Sequence, residues 1–80
     1  MPIKVCGMTQ PEQVAQLASI GVTYAGFIFY PGSQRYVLRQ MDHHAIRTEQ
    51  SIQKVGVFVD AEPGEVLDLA EKCALNMVQL

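Results

Sequence analysis

The feature that most constrains the fold of this sequence is the alternation of short apolar runs with segments of helical periodicity. Residues 24–30 and 54–60 consist mainly of aromatic and β-branched residues without polar–apolar alternation. Such runs are typical of strands covered on both faces in a parallel sheet. Ahead of the first run, Val14, Leu17 and Ala18 recur at the spacing of a helix that packs on one side. The sequence therefore predicts an α/β fold built on a parallel sheet.

The predicted order of elements is βαβαβαβ. Strands are expected at residues 4–6, 24–30, 54–60 and 77–80, and helices at residues 10–20, 41–50 and from Pro63 onward. The expected buried stripe of the last helix consists of Val66, Leu67, Ala70, Cys73 and Ala74. Helical crossovers between buried strands require parallel pairing with right-handed connections. Two architectures have this order, an open doubly wound sheet and a piece of a (βα)8 or TIM barrel. The sequence contains neither a Gly-x-Gly-x-x-Gly turn nor a P-loop, which disfavours a nucleotide-binding open sheet.

Local signals mark the ends of the first helix and a close contact in the second strand. Thr9 and Glu12 have the spacing of a capping box, and Pro11 suits the first turn because an N–H there has no partner. Gly21 stands where a left-handed residue ends a helix. Gly26, inside the second strand, indicates close approach of a neighbouring backbone or of a ligand.

The chain is unusually apolar for its length. It has 80 residues, of which 49% are hydrophobic and 18% are charged. A charged share of about 25% is usual, and a small domain has more surface per residue than a large one. We therefore expect residues 1–80 to form a single incomplete domain whose apolar faces are covered by further chain.

Composition and charge argue against several classes of function. The net charge of −2, with six dispersed basic residues, is not the electrostatic pattern of a nucleic-acid-binding protein. No run approaches the ~18 apolar residues that span a membrane, and the first residues do not resemble a signal peptide. Cys6 and Cys73 form neither a disulfide framework nor a metal-ligand spacing with His43 and His44. The expected protein is cytoplasmic, with reduced thiols and without metal, membrane or nucleic acid.

Four residues are candidates for a functional site because they lie at or beyond the carboxyl ends of predicted strands, where ligands bind in parallel α/β folds. They are Cys6, Arg35, Asp60 and Gln79. Cys6 precedes a helix start, which favours a thiolate, but an isolated cysteine in an apolar run is also commonly a core residue. Arg35 suits a carboxylate or phosphate, or is a solvated loop residue. Asp60 belongs either to this rim or to the start of the following helix, where the dipole favours a carboxylate.

Several segments carry a family resemblance. Residues 4–12 (KVCGMTQPE) resemble the opening strand motif of the phosphoribosylanthranilate isomerase family of tryptophan biosynthesis. Residues 26–37 (GFIFYPGSQRYV) resemble that family's second strand and loop, and residues 54–59 (KVGVFV) and 78–80 (VQL) resemble its third and fourth strands. The resemblance runs through essentially the whole chain, in order and with the right spacing, and its first two motifs are specific.

This resemblance implies the N-terminal portion of a (βα)8 barrel and an Amadori rearrangement of a phosphosugar–anthranilate substrate, without metal or organic cofactor. A general acid protonates the furanose ring oxygen as the ring opens to a Schiff base. A general base then removes the C2 proton, and the resulting enolamine tautomerises to the ketone. By resemblance Cys6 is the base and Arg35 holds the anthranilate part of the substrate. A thiolate can remove a carbon-bound proton that an adjacent iminium activates.

The sequence also departs from the family pattern. Gln34 replaces a common proline, and the family's aspartate general acid and phosphate-binding loops belong to later strands. Asp60 does not match the position of that acid. We therefore expect the 80 residues alone to be inactive. Their open faces are expected to be covered either by the missing barrel half or by self-association. The alternatives are a non-catalytic half-barrel module that self-associates and a phosphosugar barrel with a different reaction.

Overall fold

The computed structural model describes residues 3–79, in which four parallel strands alternate with three α-helices. The elements are β1 (Lys4–Cys6), α1 (Pro11–Ser19), β2 (Tyr24–Ile28), a 3-10 helix (Val37–Arg39), α2 (His43–Thr48), β3 (Gln53–Val57), α3 (Pro63–Lys72) and β4 (Met77–Gln79). The strands are ordered β1-β2-β3-β4 in one sheet, and every neighbouring pair is parallel. The predicted βαβαβαβ order is confirmed. Leu80, the end of the predicted fourth strand, lies outside the described residues.

The start of α1 corrects one prediction. The N-cap is Gln10, which makes no side-chain capping bond, and Pro11 opens the helix. The third helical residue is therefore Gln13, whose Oε1 accepts the backbone N–H of Thr9 at 3.1 Å. The predicted capping box of Thr9 and Glu12 is wrong because the helix begins one residue later than that box requires.

The end of α1 follows the prediction. Gly21 has a φ of +88°, the left-handed conformation that glycine adopts at a helix end. The backbone N–H of Val22 donates to the carbonyl of Leu17 at 3.1 Å. This bond satisfies a carbonyl of the last turn and directs the chain into β2.

The other two helices differ from their predicted lengths and faces. α2 covers six residues, and Asp42 caps it by accepting the backbone N–H of Ala45 at 2.8 Å. Because Asp42 is the cap, Met41 precedes the helix rather than opening it, although it is buried. α3 begins at Pro63 as predicted, but Leu67 is 72% exposed. Leu69 packs against the core instead.

Strands β2 and β3 end two to three residues earlier than predicted, although hydrogen bonding continues past each end. Phe29 donates its N–H to Val57, and Phe58 donates its N–H to Gln79, both at 2.9 Å. The two phenylalanine rings stack with their centroids 5.2 Å apart. The rings therefore close the core at the carboxyl end of the sheet.

The two faces of the sheet have different surroundings. Side chains alternate between faces along a strand, and Ala25 and Phe27 of β2 are fully buried under the helices. This helix-covered layer contains most of the core, which comprises Met8, Val14, Ala25, Phe27, Phe29, Val37, Met41, Ile46, Ile52, Phe58, Val66 and Cys73. The opposite face carries Cys6 and Gly26, which pair in register. We refer to it below as the inner face.

A buried lysine joins the helices at the amino-terminal end of the sheet. Lys54 of β3 is 3% exposed, and its Nζ donates to the carbonyls of Ile46 and Arg47 in the last turn of α2. The Arg47 guanidinium in turn donates to the carbonyl of Glu71 in the last turn of α3 at 2.6 Å. Burial lowers the pKa of Lys54 and raises that of the neighbouring Cys73. Cations at helix carboxyl ends satisfy carbonyls that have no partner in the helix.

Candidate functional site

Cys6 lies at the carboxyl end of β1, exposed, on the inner face of the sheet. Its register partner is Gly26, and a Cβ added to that glycine would lie 2.9 Å from the Cys6 sulfur. The sulfur thus occupies the space that any other residue at position 26 would fill. Cys73, by contrast, is fully buried in the core. The prediction of a close approach at Gly26 is confirmed, and within the described residues Cys6 lies outside the helix-covered core.

The residue after Cys6 connects the strand end to the loop that follows β2. Gly7 has a φ of +84°, and its N–H and that of Met8 both donate to the carbonyl of Gly26, at 2.9 and 3.1 Å. A Cβ on Gly7 would lie 2.7 Å from Cδ and 3.1 Å from Nη1 of Arg35. The Arg35 side chain therefore lies directly across the backbone beside Cys6. The structure brings these two predicted residues to one rim.

The Arg35 guanidinium is available to a ligand. Arg35 is exposed, and within residues 3–79 its side chain takes part in none of the hydrogen bonds or ion pairs. Its backbone N–H donates to the Ser33 hydroxyl at 3.1 Å. An arginine held by its backbone, with its planar fork free, can bind a carboxylate or phosphate through two parallel hydrogen bonds.

Gln79 lies on the same inner face, at the end of β4 and in register with Val57. Its Oε1 accepts a hydrogen bond from the Nζ of Lys4, although β1 and β4 are at opposite edges of the sheet. The inner face is therefore concave, since side chains from its two edges meet across it. Lys4 points to the same face as Cys6, because Cys6 follows it by two residues along β1.

Asp60 is placed differently from the other three candidates. It lies three residues beyond the end of β3, exposed, with a φ of +52°. It does not end the strand, as the sequence had predicted, and the N-cap of α3 is Glu62. With Gln79 and residues 57–61 it lines an open groove of about 480 Å³. Asp60 thus borders the rim beside Gln79, and within residues 3–79 it makes no hydrogen bond or ion pair with Cys6 or Arg35.

His43 and His44 lie side by side at the start of α2. Across residues 3–79 there is no group of three His, Cys, Asp or Glu side chains that could hold a metal ion. In the same part of the chain, no helix has the length and hydrophobicity needed to cross a membrane.

Two residues that order the Arg35 segment were not singled out from the sequence. Ser33 accepts from the Arg35 N–H, and Arg39 donates to the carbonyls of Pro31 and Ser33. A serine two residues before the arginine is a recognisable turn pattern. No sequence signal distinguishes Arg39 from a solvated arginine.

Parallel strands that lie side by side in chain order, with helices between them, are the arrangement of a (βα)8 barrel, and this chain forms four such strands with Cys6 and Arg35 at their carboxyl ends. Residues 3–80 match the family model of N-(5'-phosphoribosyl)anthranilate (PRA) isomerase. The chain belongs to this family.

Individual relatives agree with this assignment. N-(5'-phosphoribosyl)anthranilate isomerase of Trichormus variabilis is 40% identical over 81 residues, which cover 100% of this chain and 39% of the relative. A crystal structure of monomers of dimeric phosphoribosylanthranilate isomerase from Thermotoga maritima superposes with a TM-score of 0.87 at 38% identity, covering 100% of this chain and 41% of that one. A second, in complex with reduced 1-(o-carboxyphenylamino)-1-deoxyribulose 5-phosphate, has a TM-score of 0.87 at 36% identity, with 100% and 42% covered. The chain thus spans about two-fifths of the length of these relatives.

Proposed function

We propose that the protein carrying this chain is an N-(5'-phosphoribosyl)anthranilate isomerase of tryptophan biosynthesis. The observation that supports this most strongly is the pairing of an exposed Cys6 sulfur with the Arg35 side chain, which lies across the adjacent Gly7. Relatives of the same family carry this name, and one solved relative holds a reduced product-like phosphosugar–anthranilate. The substrate class proposed is therefore a small phosphosugar–anthranilate.

In the proposed reaction, Cys6 acts as the general base. After ring opening, the Cys6 thiolate removes the proton from C2 of the protonated Schiff base and becomes a thiol. The electron pair of that C–H bond forms the C1–C2 double bond of the enolamine, while the π pair of the C–N bond moves to nitrogen. Tautomerisation of the enolamine then gives the ketone. Position on an exposed strand end allows the sulfur to reach a ligand in the concave inner face, which a buried thiol could not do.

Arg35 is proposed to hold the anthranilate carboxylate. Its guanidinium has no partner among the side chains of residues 3–79 and lies one residue away from the proposed base. A bidentate contact would fix the substrate in one orientation relative to the sulfur. Gln79 and Asp60 are proposed as lesser contacts at the same rim, and the general acid and the phosphate site are assigned to parts of the protein outside these 80 residues.

The test is replacement of Cys6 by alanine in the natural-length protein, with turnover of N-(5'-phosphoribosyl)anthranilate as the measurement. Loss of a positioned general base is expected to reduce kcat at least about 100-fold. Cys73→Ala is the matched control, because it removes a thiol that is buried in the core. A Cys6→Ala protein with near-normal kcat would remove the assigned base.

The open edges of the sheet support a proposal about assembly. β1 and β4 are the edge strands, and Met77 and Val78 are 42% and 45% exposed. Unpaired strand edges and apolar surface favour pairing with further strands. We propose that residues 1–80 form one incomplete domain completed by the rest of the barrel, and that in isolation it self-associates. Sedimentation of the isolated 80-residue chain as a monomer would contradict the second part.

The proposed location is the cytoplasm. A thiol that acts as a base must stay reduced, and Cys6 and Cys73 are both free. An exposed free thiol such as that of Cys6 persists in the reducing cytoplasm rather than in a secreted protein. Fractionation of cells that produce the tagged protein tests this, and recovery in a secreted fraction would contradict it.

A further inference from the structure

The segment that carries Arg35 is held by a second arginine. The guanidinium of Arg39 donates through Nη1 to the carbonyl of Ser33 at 2.9 Å and through Nη2 to the carbonyl of Pro31 at 2.6 Å. Its central carbon also lies 5.6 Å from the centroid of the Tyr36 ring. One planar group therefore contacts the beginning, the middle and the end of the segment formed by residues 31–36.

Ser33 is the centre of this arrangement. Its N–H donates to the carbonyl of Tyr30 at 3.0 Å, and its hydroxyl accepts the N–H of Arg35. Its carbonyl accepts both the N–H of Tyr36 at 3.2 Å and the guanidinium of Arg39. The backbone on both sides of Arg35 is thus fixed through a single residue that Arg39 contacts directly.

The segment leaves and rejoins the sheet at the same place. β2 ends at Ile28, and Tyr36 returns to form a parallel bridge with that residue. Residues 29–35 therefore form an excursion whose two ends are close together. Most of the segment is exposed, so hydrogen bonds contribute much of what fixes its conformation.

The two arginines of this region have distinct environments. Arg39 uses its fork on backbone carbonyls, whereas Arg35 leaves its fork free and lies across Gly7. We infer that Arg39 is a positioning residue, which orders the segment so that Arg35 meets the substrate carboxylate next to Cys6. This inference deepens the proposed function and rests on it. A lysine cannot replace Arg39, because an ammonium lacks the planar fork that spans two carbonyls and stacks on an aromatic ring.

A double-mutant cycle in the natural-length protein tests the inference. The variants are Arg39→Met, Arg35→Met and the double mutant, with Arg39→Lys as the conservative change. Arg47→Met is the matched control, since Arg47 also donates to a backbone carbonyl at 2.6 Å but at the opposite end of the sheet. The measurements are kcat and KM with N-(5'-phosphoribosyl)anthranilate, and the Kd of reduced 1-(o-carboxyphenylamino)-1-deoxyribulose 5-phosphate.

A residue that acts only through Arg35 has a specific signature in this cycle. Arg39→Met is expected to raise KM and Kd about tenfold with kcat changed less than about threefold, because ground-state and transition-state binding are lost together. In the Arg35→Met background the same substitution is expected to have no further effect, which is complete coupling. Arg39→Lys is expected to resemble Arg39→Met, and Arg47→Met to leave KM and Kd unchanged. Additive effects of the two arginine substitutions would overturn the inference.

Amide hydrogen exchange gives a readout that is independent of activity. The N–H groups of Ser33 and Tyr36 donate to the carbonyls of Tyr30 and Ser33. Arg39→Met should therefore speed their exchange about tenfold or more, while that of Gly7 stays unchanged. Unchanged exchange at Ser33 and Tyr36 overturns the inference, whatever the kinetics show. If the wild-type protein lacks turnover, the proposed function fails, and the exchange rates still decide whether Arg39 orders the segment.

Discussion

Gly26→Ala is the substitution that most directly tests how the sheet positions the Cys6 sulfur. A Cβ at this residue would lie 2.9 Å from Sγ of Cys6, 3.1 Å from its Cα and 3.3 Å from its Cβ. Favourable contacts between carbon atoms lie at about 3.5–4.0 Å. Rotation of the sulfur relieves only the first of these overlaps, because the second involves the backbone of β1. The new methyl group must therefore push β1 and β2 apart at their pairing.

The expected cost follows from this geometry. Overpacking by one methyl group typically destabilises a protein by about 1–3 kcal/mol. Since a backbone atom is involved, we expect about 2 kcal/mol, roughly a 30-fold shift in the folding equilibrium. The displaced sulfur should also reduce kcat about tenfold, because misplacement by about 1 Å strongly affects a positioned group.

Urea denaturation and steady-state kinetics of the natural-length protein measure the two effects. Gly64→Ala is the control, because a Cβ at Gly64 in α3 meets no heavy atom within 4 Å. Alanine there is expected to stabilise the helix by about 0.5 kcal/mol. The two substitutions should thus have opposite signs. If Gly26→Ala matches Gly64→Ala in stability and keeps full kcat, the reasoning about the sulfur position is wrong.

Two further predictions concern stability. Asp42→Ala should lower the free energy of unfolding by about 1 kcal/mol, because it removes the carboxylate that accepts the Ala45 N–H at the start of α2. Gln10→Ala should change it by less than about 0.5 kcal/mol, since Gln10 makes no capping bond. Urea titrations compare the two variants, and equal losses would contradict the assignment of Asp42 as the capping residue. Burial raises the pKa of Cys73 above 9.0, so above pH 9.0 the unfolded chain loses this proton before the folded protein does. The stability advantage of wild type over Cys73→Ala should therefore be constant below that pH and shrink above it, and a pH-independent difference in unfolding free energy would count against this.

Much of the fold could be predicted from sequence because its determinants are local. Apolar runs identified all four strands, and Gly21 and Pro63 marked helix ends whose conformations depend on few neighbours. The errors arose where one residue of register matters. The predicted cap at Thr9 assumed a helix start one residue too early, and Leu67 was assigned to a buried stripe that instead contains Leu69.

For the candidate site, the location of the residues could be predicted from sequence, but their side-chain contacts could not. Parallel topology alone sends the carboxyl ends of strands to one edge, which predicted that Cys6 and Arg35 share a rim. The contact of Arg35 with Gly7, the two bonds of Arg39 and the burial of Lys54 depend on side chains that meet only after folding. Nothing in the sequence around Arg39 or Lys54 distinguishes these two residues from solvated ones.

The hydrogen bonds of Lys54 and Arg47 to the last turns of α2 and α3 have a consequence for which sequence changes this fold can accept. They fasten β3, α2 and α3 through backbone carbonyls at the end of the sheet remote from Cys6. Carbonyls are present whatever side chains neighbouring positions carry. The framework therefore depends on two side chains at this end, whose acceptors persist when neighbouring residues change, and the other end is free to exchange reactive groups while the architecture persists.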